Sequence, residues 1–278
     1  MGGGARLDRF GDRLVDRPYP AAVGTRQAPE AWAAADLRYD RDSGWSGGPG
    51  GTDLEPWIVH LAGLTLELRP TDAGQVGLFP EHALRLPWLA DRVGSRVGVA
   101  PTADAEPPRV LHLFAYTGLV TLALARAGAA VAHVDASRPS LTWARVNAAH
   151  SGLSDRPVRW LVDDARGFAA REVRRERRYD GIVLDPPSYG HGEARSATWR
   201  LEDDLAPLLG TCRALLREDG FVLLTAHAEG LTPDDLGRSL TGAWGDRARA
   251  ATTGELSLPV SSGGRQAFGA FAQLDLAA

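Results

Sequence analysis

The stretch Arg109-Val110-Leu111-His112-Leu113-Phe114-Ala115-Tyr116-Thr117-Gly118 passes from an apolar run into a turn that ends in glycine. Its apolar part follows Pro107-Pro108, and a short apolar run with such boundaries is typical of a buried parallel strand. The next residues, Leu119–Ala127, are rich in alanine and leucine and stop at Gly128, which predicts a helix with a glycine C-cap. The chain therefore shows the first strand, turn and helix of an α/β crossover.

A second apolar run, Ala130–Val134, completes this crossover and ends in Asp135. An acid at the end of the second strand can accept hydrogen bonds from both hydroxyls of a ribose. A dinucleotide site needs about three glycines to approach a pyrophosphate, whereas this turn contains only Gly118. A ligand with a ribose and no phosphate fits better. S-adenosylmethionine is such a ligand, and Phe114 and Tyr116 would flank its methionine end.

The composition is that of a soluble globular protein with a substantial core, since 44% of the 278 residues are hydrophobic and 24% are charged. A net charge of −4 gives no overall attraction to nucleic acid or to an anionic membrane. The single cysteine, Cys212, excludes an intramolecular disulfide and is interpreted as a small buried hydrophobe. No apolar segment approaches the length of a membrane span, and Met1-Gly2-Gly3-Gly4 lacks the apolar core of a signal peptide. A cytoplasmic location without membrane association is expected.

Beyond residue 108, apolar runs alternate with helix-like segments, which predicts an α/β fold with a mostly parallel sheet and helices on both faces. The strands are expected at 109–114, 130–135, 158–162, 180–185 and 220–225. Two further strand-like segments, Thr252–Leu258 and Ala267–Leu274, are separated by Ser261-Ser262-Gly263-Gly264. They predict an antiparallel hairpin at the edge of the sheet.

The chain before this domain has a different character. Residues 1–56 are rich in glycine, proline, arginine and aspartate, and an irregular region is expected there. Trp57–Leu68 predicts two strands that turn at Ala62-Gly63. The Pro- and Ala-rich stretch at 94–108 predicts a boundary, so that 1–107 forms an irregular region with a small β subdomain and 108–278 forms the α/β domain.

Acidic residues follow the third and fourth strands of the α/β domain, and ligands of such sheets bind at the carboxyl ends of the strands. Asp163-Asp164 follows the third strand, where either carboxylate can accept a hydrogen bond from an adenine amino group or cap the next helix. Asp185 follows the fourth strand and precedes Pro186-Pro187. Two prolines fix the path of the chain and aim the Asp185 carboxylate and the Pro186 carbonyl into the cleft. An ordinary tight turn is the alternative.

A turn-like segment, Gln75–His82, lies between the first hairpin and the α/β domain. It is interpreted as a packed connector, or alternatively as a lid that presents Phe79, Glu81 and His82 to the ligand.

Five segments occur in order at these strand ends and helices: Phe114-Ala115-Tyr116-Thr117-Gly118, Val134-Asp135-Ala136-Ser137, Asn147, Asp163-Asp164 and Asp185-Pro186-Pro187-Ser188-Tyr189. Together they resemble class I S-adenosylmethionine-dependent methyltransferases, and more narrowly the bacterial 23S rRNA cytosine-C5 methyltransferase-like group. The resemblance covers residues 109–230 well and the hairpin at 64–82 more loosely. It implies a Rossmann-like class I methyltransferase sheet at 108–278, S-adenosyl-L-methionine as the cofactor and an rRNA base as the substrate.

The resemblance also implies the roles of individual residues. The cofactor would contact the glycine turn, two acidic strand ends and the segment before the domain, through Phe114, Tyr116, Gly118, Asp135, Ser137, Asp164, Phe79 and His82. Asp185 would face the methyl group and the substrate, and Pro186 and Tyr189 are the other expected catalytic residues. No metal site is predicted, and the oligomeric state is left open.

Two departures from the resembling group bear on the acceptor atom. Methylation of cytosine C5 requires a cysteine thiolate that adds to C6, but Thr225-Ala226-His227 follows the fifth strand and Ser188-Tyr189 follows the prolines. Amino-group methyltransferases place an aromatic residue directly after the prolines, where this chain has Ser188. Methylation of a small molecule or protein, and cofactor binding without turnover, are the alternatives to methylation of RNA.

Overall fold

The computed structural model describes residues 1–47, 54–97, 106–191, 198–248, 251–261 and 263–276. By its internal contacts the chain forms two compact units, Met1–Phe79 and Pro80–Ala278. The domain boundary expected between residues 107 and 108 stays a prediction.

The first unit contains a four-stranded sheet in the order β1-β2-β3-β4. Its strands are β1 (Ala5–Phe10), β2 (Arg13–Pro18), β3 (Leu37–Asp40) and β4 (Gly44–Gly47), with helix α1 (Pro29–Ala33) before β3. The expectation of an irregular region is therefore wrong for most of residues 5–47. The charged residues that suggested disorder pair with one another: Asp8 Oδ2 lies 3.0 Å from Arg6 Nε and 2.6 Å from Arg17 Nη2.

A separate hairpin follows in the same unit. Strand β5 (Trp57–Leu61) pairs antiparallel with β6 (Leu64–Leu68). The two turn residues, Ala62 and Gly63, have φ angles of 50° and 75°, and left-handed backbone at both central positions is the geometry that matches the twist of a two-residue hairpin. The predicted hairpin and its turn are confirmed.

The second unit is built on a seven-stranded sheet in the order β14-β15-β13-β10-β7-β8-β9. The strands are β7 (Arg109–Leu113), β8 (Ala130–Asp135), β9 (Val158–Val162), β10 (Tyr179–Leu184), β13 (Leu216–Ala226), β14 (Thr252–Pro259) and β15 (Arg265–Asp275), and a small hairpin consists of β11 (Tyr189–His191) and β12 (Thr198–Arg200). Strands β13, β10, β7, β8 and β9 are parallel to one another, and β15 pairs antiparallel with both β13 and β14. The α/β fold with a parallel sheet and an antiparallel edge hairpin is confirmed.

Helices connect the strands of this sheet. They are α2 (Leu86–Val97), α3 (Leu119–Arg126), α4 (Arg138–His150), α5 (Ala165–Arg174), α6 (Leu201–Leu215) and α7 (Pro233–Trp244), and two 3-10 segments cover Pro80–Arg85 and Gly245–Ala248. Helices α5, α6 and α7 pack side by side, and α7 also packs on β14 and β15. Within the described ranges, no helix combines the length and the apolar character that crossing a bilayer requires.

Strand β7 lies at the centre of this arrangement because β8 and β10 pair with it on opposite sides. Its last residue, Leu113, is in register with Val134 on β8 and with Leu184 on β10. The next residue on each neighbouring strand is an acid, Asp135 on one side and Asp185 on the other. The chain order reverses here, which is where ligands of open α/β sheets bind.

Candidate active site

The turn after β7 has an unusual backbone. Phe114, Tyr116 and Gly118 have φ angles of 58°, 49° and 93°. Left-handed conformations are unfavourable for residues with a large side chain, and such outliers cluster at ligand sites where the surrounding structure enforces them. The three turn residues predicted to contact the cofactor are thus the three with left-handed backbone.

Asp135 holds this turn in place. The backbone N–H of Tyr116 donates to its Oδ2 atom at 2.7 Å, and that of Ser137 donates to its Oδ1 atom at 2.8 Å. Burial raises the pKa of Asp135, and the hydrogen bonds from Ser137 and Tyr116 act in the opposite direction. Each carboxylate oxygen has a second lone pair, so Asp135 retains the capacity to accept two ligand hydroxyls.

The far end of the turn is fixed against helix α4. A Cβ atom at Gly118 would lie 3.1 Å from the Cβ of Ala144, and the left-handed φ disfavours any side chain as well. The buried Asn147 side chain donates a hydrogen bond from Nδ2 to the carbonyl of Thr117 at 3.0 Å. Gly118 therefore permits close packing of the turn on α4.

Two predicted cofactor residues cap helices. The Ser137 hydroxyl accepts a hydrogen bond from the Ser140 N–H at the start of α4, and Asp164 Oδ1 accepts one from the Gly167 N–H, at 2.8 Å, at the start of α5. The alternative of helix capping at Asp164 is confirmed. Its role toward adenine stays a prediction, and the other carboxylate oxygen is the atom that would carry it.

Asp185 stands at the end of β10, with the buried Pro186 after it. Its backbone N–H approaches the Leu113 carbonyl at 3.4 Å. The Thr225 hydroxyl donates to Asp185 Oδ1 at 2.6 Å, which fixes the carboxylate from the neighbouring strand β13.

Two histidines from distant parts of the chain meet beside this carboxylate. Their Nε2 atoms lie 2.8 Å apart, His82 Nε2 lies 3.6 Å from Asp185 Oδ2, and His227 Nε2 lies 3.6 Å from Asp185 Oδ1. His227 Nδ1 is 2.9 Å from the Phe268 carbonyl, which can only accept. Nδ1 of His227 therefore carries the proton, its Nε2 is an acceptor when the ring is neutral, and the Nε2–H of His82 donates to it.

The protonation of His82 and Asp185 follows from burial and from the neighbouring charges. Burial lowers the pKa of His82, and His227 lowers it further, while Asp185 and Glu81 act to raise it. For Asp185, burial acts to raise the pKa, but His82, His227 and the Thr225 hydrogen bond together outweigh it, so the pKa is lowered. An ionised Asp185 beside a neutral His82 is the resulting arrangement at neutral pH.

The remaining predicted residues lie elsewhere. Tyr189, on β11, is 54% exposed, and Phe79 is the last residue of the first unit. Cys212 is fully buried in α6, and burial raises the pKa of its thiol to about 12. Cys212 therefore cannot supply the thiolate that cytosine-C5 methylation needs.

Sequence reasoning did not assign Thr225 or His227 to the site, and it named Glu81 only in the alternative of a lid. Glu81 is buried, and its Oε1 lies 3.6 Å from His227 Nδ1. The signal was present for Thr225 and His227, since they stand at the end of the fifth parallel strand, where members of the resembled group carry a cysteine. Among the described residues, His82, Asp185 and His227 form a group whose ligand atoms all lie within 4.8 Å of one another.

In sequence, the chain is similar to ribosomal RNA large subunit methyltransferases. No protein-family model matches the chain. The ribosomal RNA large subunit methyltransferase K/L of Methylococcus capsulatus is 33% identical over 124 residues, which is 44% of this chain and 17% of that protein. The ribosomal RNA large subunit methyltransferase K of Neisseria meningitidis serogroup B is 31% identical over 147 residues, or 52% of this chain and 41% of that protein. The chain thus spans less than half of the length of either relative.

A solved structure with more than 30% identity matches nearly the whole chain. The crystal structure of the SAM-dependent methyltransferase from Agrobacterium tumefaciens is 31% identical, with a TM-score of 0.88, and the match covers 99% of this chain and 88% of that one. Because the identity and the coverage hold over both units of the fold, this chain belongs to the S-adenosylmethionine-dependent methyltransferases.

Proposed function

We propose that this protein transfers the methyl group of S-adenosylmethionine to a nitrogen of an RNA base, with ribosomal RNA as the substrate class. The observation that carries the substrate class is the 33% identity over 124 residues to a ribosomal RNA large subunit methyltransferase. The shared segment is only 17% of that relative, so the substrate of this chain is inferred from a part of it.

The strand-end residues fit the cofactor. Asp135 has one free lone pair on each carboxylate oxygen after accepting from Tyr116 and Ser137, which suits the two ribose hydroxyls. Phe114 and Tyr116 would line the methionine part, and Asp164 would accept from the adenine amino group. These four residues stand at or just after the ends of β7, β8 and β9, which lie side by side in the sheet.

When bound, S-adenosylmethionine would supply an electrophilic methyl group on a sulfonium: the acceptor's lone pair would bond to the methyl carbon as the carbon–sulfur bond breaks, and S-adenosylhomocysteine would leave. The chain's own contribution is to position the acceptor in line with that methyl group, which is a large source of rate. Asp185, fixed by Thr225, would accept a hydrogen bond from the target base. Because the Cys212 thiol is buried with its pKa raised to about 12, the acceptor should be nucleophilic without thiol addition, and a base nitrogen meets that condition.

Mass spectrometry of nucleosides tests the substrate class. Ribosomal RNA from cells with and without the gene is digested and compared, and the purified protein is then incubated with labelled S-adenosylmethionine and the RNA from the deletion strain. Loss of one N-methylated nucleoside, restored by the protein, is expected. Unchanged ribosomal RNA, with label entering only an RNA-free extract, would reject RNA as the substrate.

A further inference from the structure

We propose that His82, Asp185 and His227 bind a divalent transition-metal cation. This inference goes beyond the proposed function, because it concerns a ligand that neither methyl transfer nor an RNA substrate requires.

One ligand atom from each of the three residues can be chosen so that all lie within 4.8 Å of one another. The two Nε2 atoms are 2.8 Å apart, His82 Nε2 lies 3.6 Å from Asp185 Oδ2, and His227 Nε2 lies 3.6 Å from the other oxygen, Oδ1. Metal bonds of 2.0–2.1 Å place neighbouring ligands about 2.9 Å apart at right angles and about 3.4 Å apart at tetrahedral angles. A cation that replaced the proton between the two imidazoles would turn each ring toward itself and would bind the Asp185 carboxylate through one oxygen or both.

The outer contacts are those that metal ligands use. A histidine that binds a metal through one nitrogen donates its other N–H to a carbonyl or carboxylate, and a ligating carboxylate accepts a hydrogen bond of its own. His227 Nδ1 lies 2.9 Å from the Phe268 carbonyl and 3.6 Å from Glu81 Oε1. Thr225 donates to Asp185 Oδ1 at 2.6 Å. Two of the three ligands, His227 and Asp185, thus already have the outer contacts that orient metal ligands.

The donor set selects the class of ion. Two imidazoles and one carboxylate suit zinc, iron, nickel or cobalt, whereas magnesium prefers oxygen ligands only. Three protein ligands leave at least one position open, as in catalytic zinc sites. The adjoining pocket, which His82 and Asp185 line together with Arg85 and His112, has a volume of about 10 Å³, roughly the room for a single water at that position. Zinc is the expected occupant.

Metal analysis of the full-length, tag-free protein tests the site. The protein is stripped with a chelator, reloaded with a small excess of Zn²⁺, desalted and measured by inductively coupled plasma mass spectrometry. About one zinc per chain is expected for the wild type, as for a three-ligand site. His82→Gln and His227→Gln should lose it. His60→Gln and His150→Gln, which remove two exposed histidines, are the matched controls and should retain it.

A second pair of variants separates metal binding from folding. Thr225→Val removes the hydrogen bond to Asp185 while keeping the shape, and should weaken Co²⁺ binding about 10- to 100-fold in a titration followed by visible absorption. Thr225→Ser restores the hydroxyl and should recover the affinity. Excess Mg²⁺ should not compete with Co²⁺.

The opposite results would overturn the proposal. If the reloaded wild type retains no stoichiometric zinc, the two histidines form a hydrogen bond and nothing more. Zinc content that is unchanged in both His82→Gln and His227→Gln would place any bound metal elsewhere. Neither readout uses RNA, so failure of the proposed substrate and failure of the metal site are distinguishable.

Discussion

The backbone N–H of Tyr116 donates to Asp135 Oδ2 at 2.7 Å. This one bond joins the turn after β7 to the end of β8, and it holds Tyr116 in the left-handed conformation, with φ at 49°. The same carboxylate accepts the Ser137 N–H through its other oxygen. Asp135 therefore shapes the pocket for the cofactor before any ligand reaches it.

Asp135→Asn should weaken cofactor binding and lower stability. Asparagine has one accepting oxygen, and its amide nitrogen can only donate, so one of the two backbone N–H groups loses its acceptor. A buried donor without an acceptor costs about 1–3 kcal/mol. Titration calorimetry with S-adenosylhomocysteine should show affinity at least about 10-fold weaker, since each 1.4 kcal/mol is tenfold. Asp155→Asn, in an exposed turn, is the control and should bind as the wild type does. Wild-type affinity in Asp135→Asn would contradict the assignment.

Asp185→Asn should separate catalysis from cofactor binding. The amide keeps the size of the side chain and can still accept from Thr225, but it loses the charge that would orient the acceptor. A positioned group of this kind contributes about 10²–10⁴-fold, so kcat should fall by at least about 100-fold while the Kd for S-adenosylhomocysteine changes little. Single-turnover assays with labelled cofactor measure the first quantity. Equal losses in both quantities would make Asp185 a binding residue instead.

Tyr189 offers a test of the RNA substrate. Its side chain is 54% exposed, and one residue separates it from the Asp185-Pro186-Pro187 turn. A base turned out of the RNA could therefore stack on its ring. Stacking on an aromatic ring is worth about 1–3 kcal/mol per base. Tyr189→Ala should raise the KM for RNA about 5- to 150-fold, and Tyr189→Phe, which keeps the ring, should not. An unchanged KM in Tyr189→Ala would exclude stacking at this residue.

The central sheet could be predicted because its strands are short apolar runs bounded by glycine, proline or acid. Strand β7 begins at the expected residue, Arg109, and β8 ends at the expected Asp135. The small sheet at Ala5–Gly47 could not be predicted in the same way. Its strands contain as many charged as apolar residues, and the ion pairs that make those charges tolerable, such as Arg17 with Asp8, join two strands.

The candidate site, too, could be predicted from the sequence only in part. Asp135 and Asp185 were predictable because each directly follows a buried strand, and the carboxyl ends of neighbouring parallel strands meet at one edge. The contact between His82 and His227 was not, since the two residues are 145 positions apart. Only the folded chain brings the segment before the sheet to the end of the fifth parallel strand.

Stability should fall in acid because of two buried histidines. Burial lowers the pKa of both His112 and His133 from 6.5 to about 3, so the unfolded chain binds protons between these pH values that the folded chain does not. The stabilisation is complete above pH 6.5 and is lost as the pH falls toward 3. Between pH 7 and pH 5, each histidine should lower the free energy of unfolding by about 2 kcal/mol.

Urea denaturation at pH 7 and pH 5 measures this loss. Thr121 Oγ1 lies 2.7 Å from His112 Nδ1 and 2.9 Å from His133 Nδ1, and an asparagine can replace a ring nitrogen in such a contact. From pH 7 to pH 5, the free energy of unfolding of His133→Asn should therefore fall by about 2 kcal/mol less than that of the wild type. This difference is expected even if the variant is less stable at pH 7. The same pH dependence in both proteins would contradict a neutral, buried His133.

Gly269→Ala should disturb His227 without touching any other site residue. A Cβ atom at this position would lie 2.6 Å from the Ala226 carbonyl and 2.9 Å from His227 Nδ1, so β15 must move away from β13. Overpacking of this kind costs about 1–3 kcal/mol, and it separates His227 from the Phe268 carbonyl that fixes its tautomer. The imidazole ¹⁵N shifts of His227 should change, and the free energy of unfolding should fall.

Gly242→Ala is the control, at an exposed position of α7 with open space around it. Its free energy of unfolding should instead rise by up to about 1 kcal/mol. Wild-type ¹⁵N shifts in Gly269→Ala would show that the strand spacing does not set the orientation of His227.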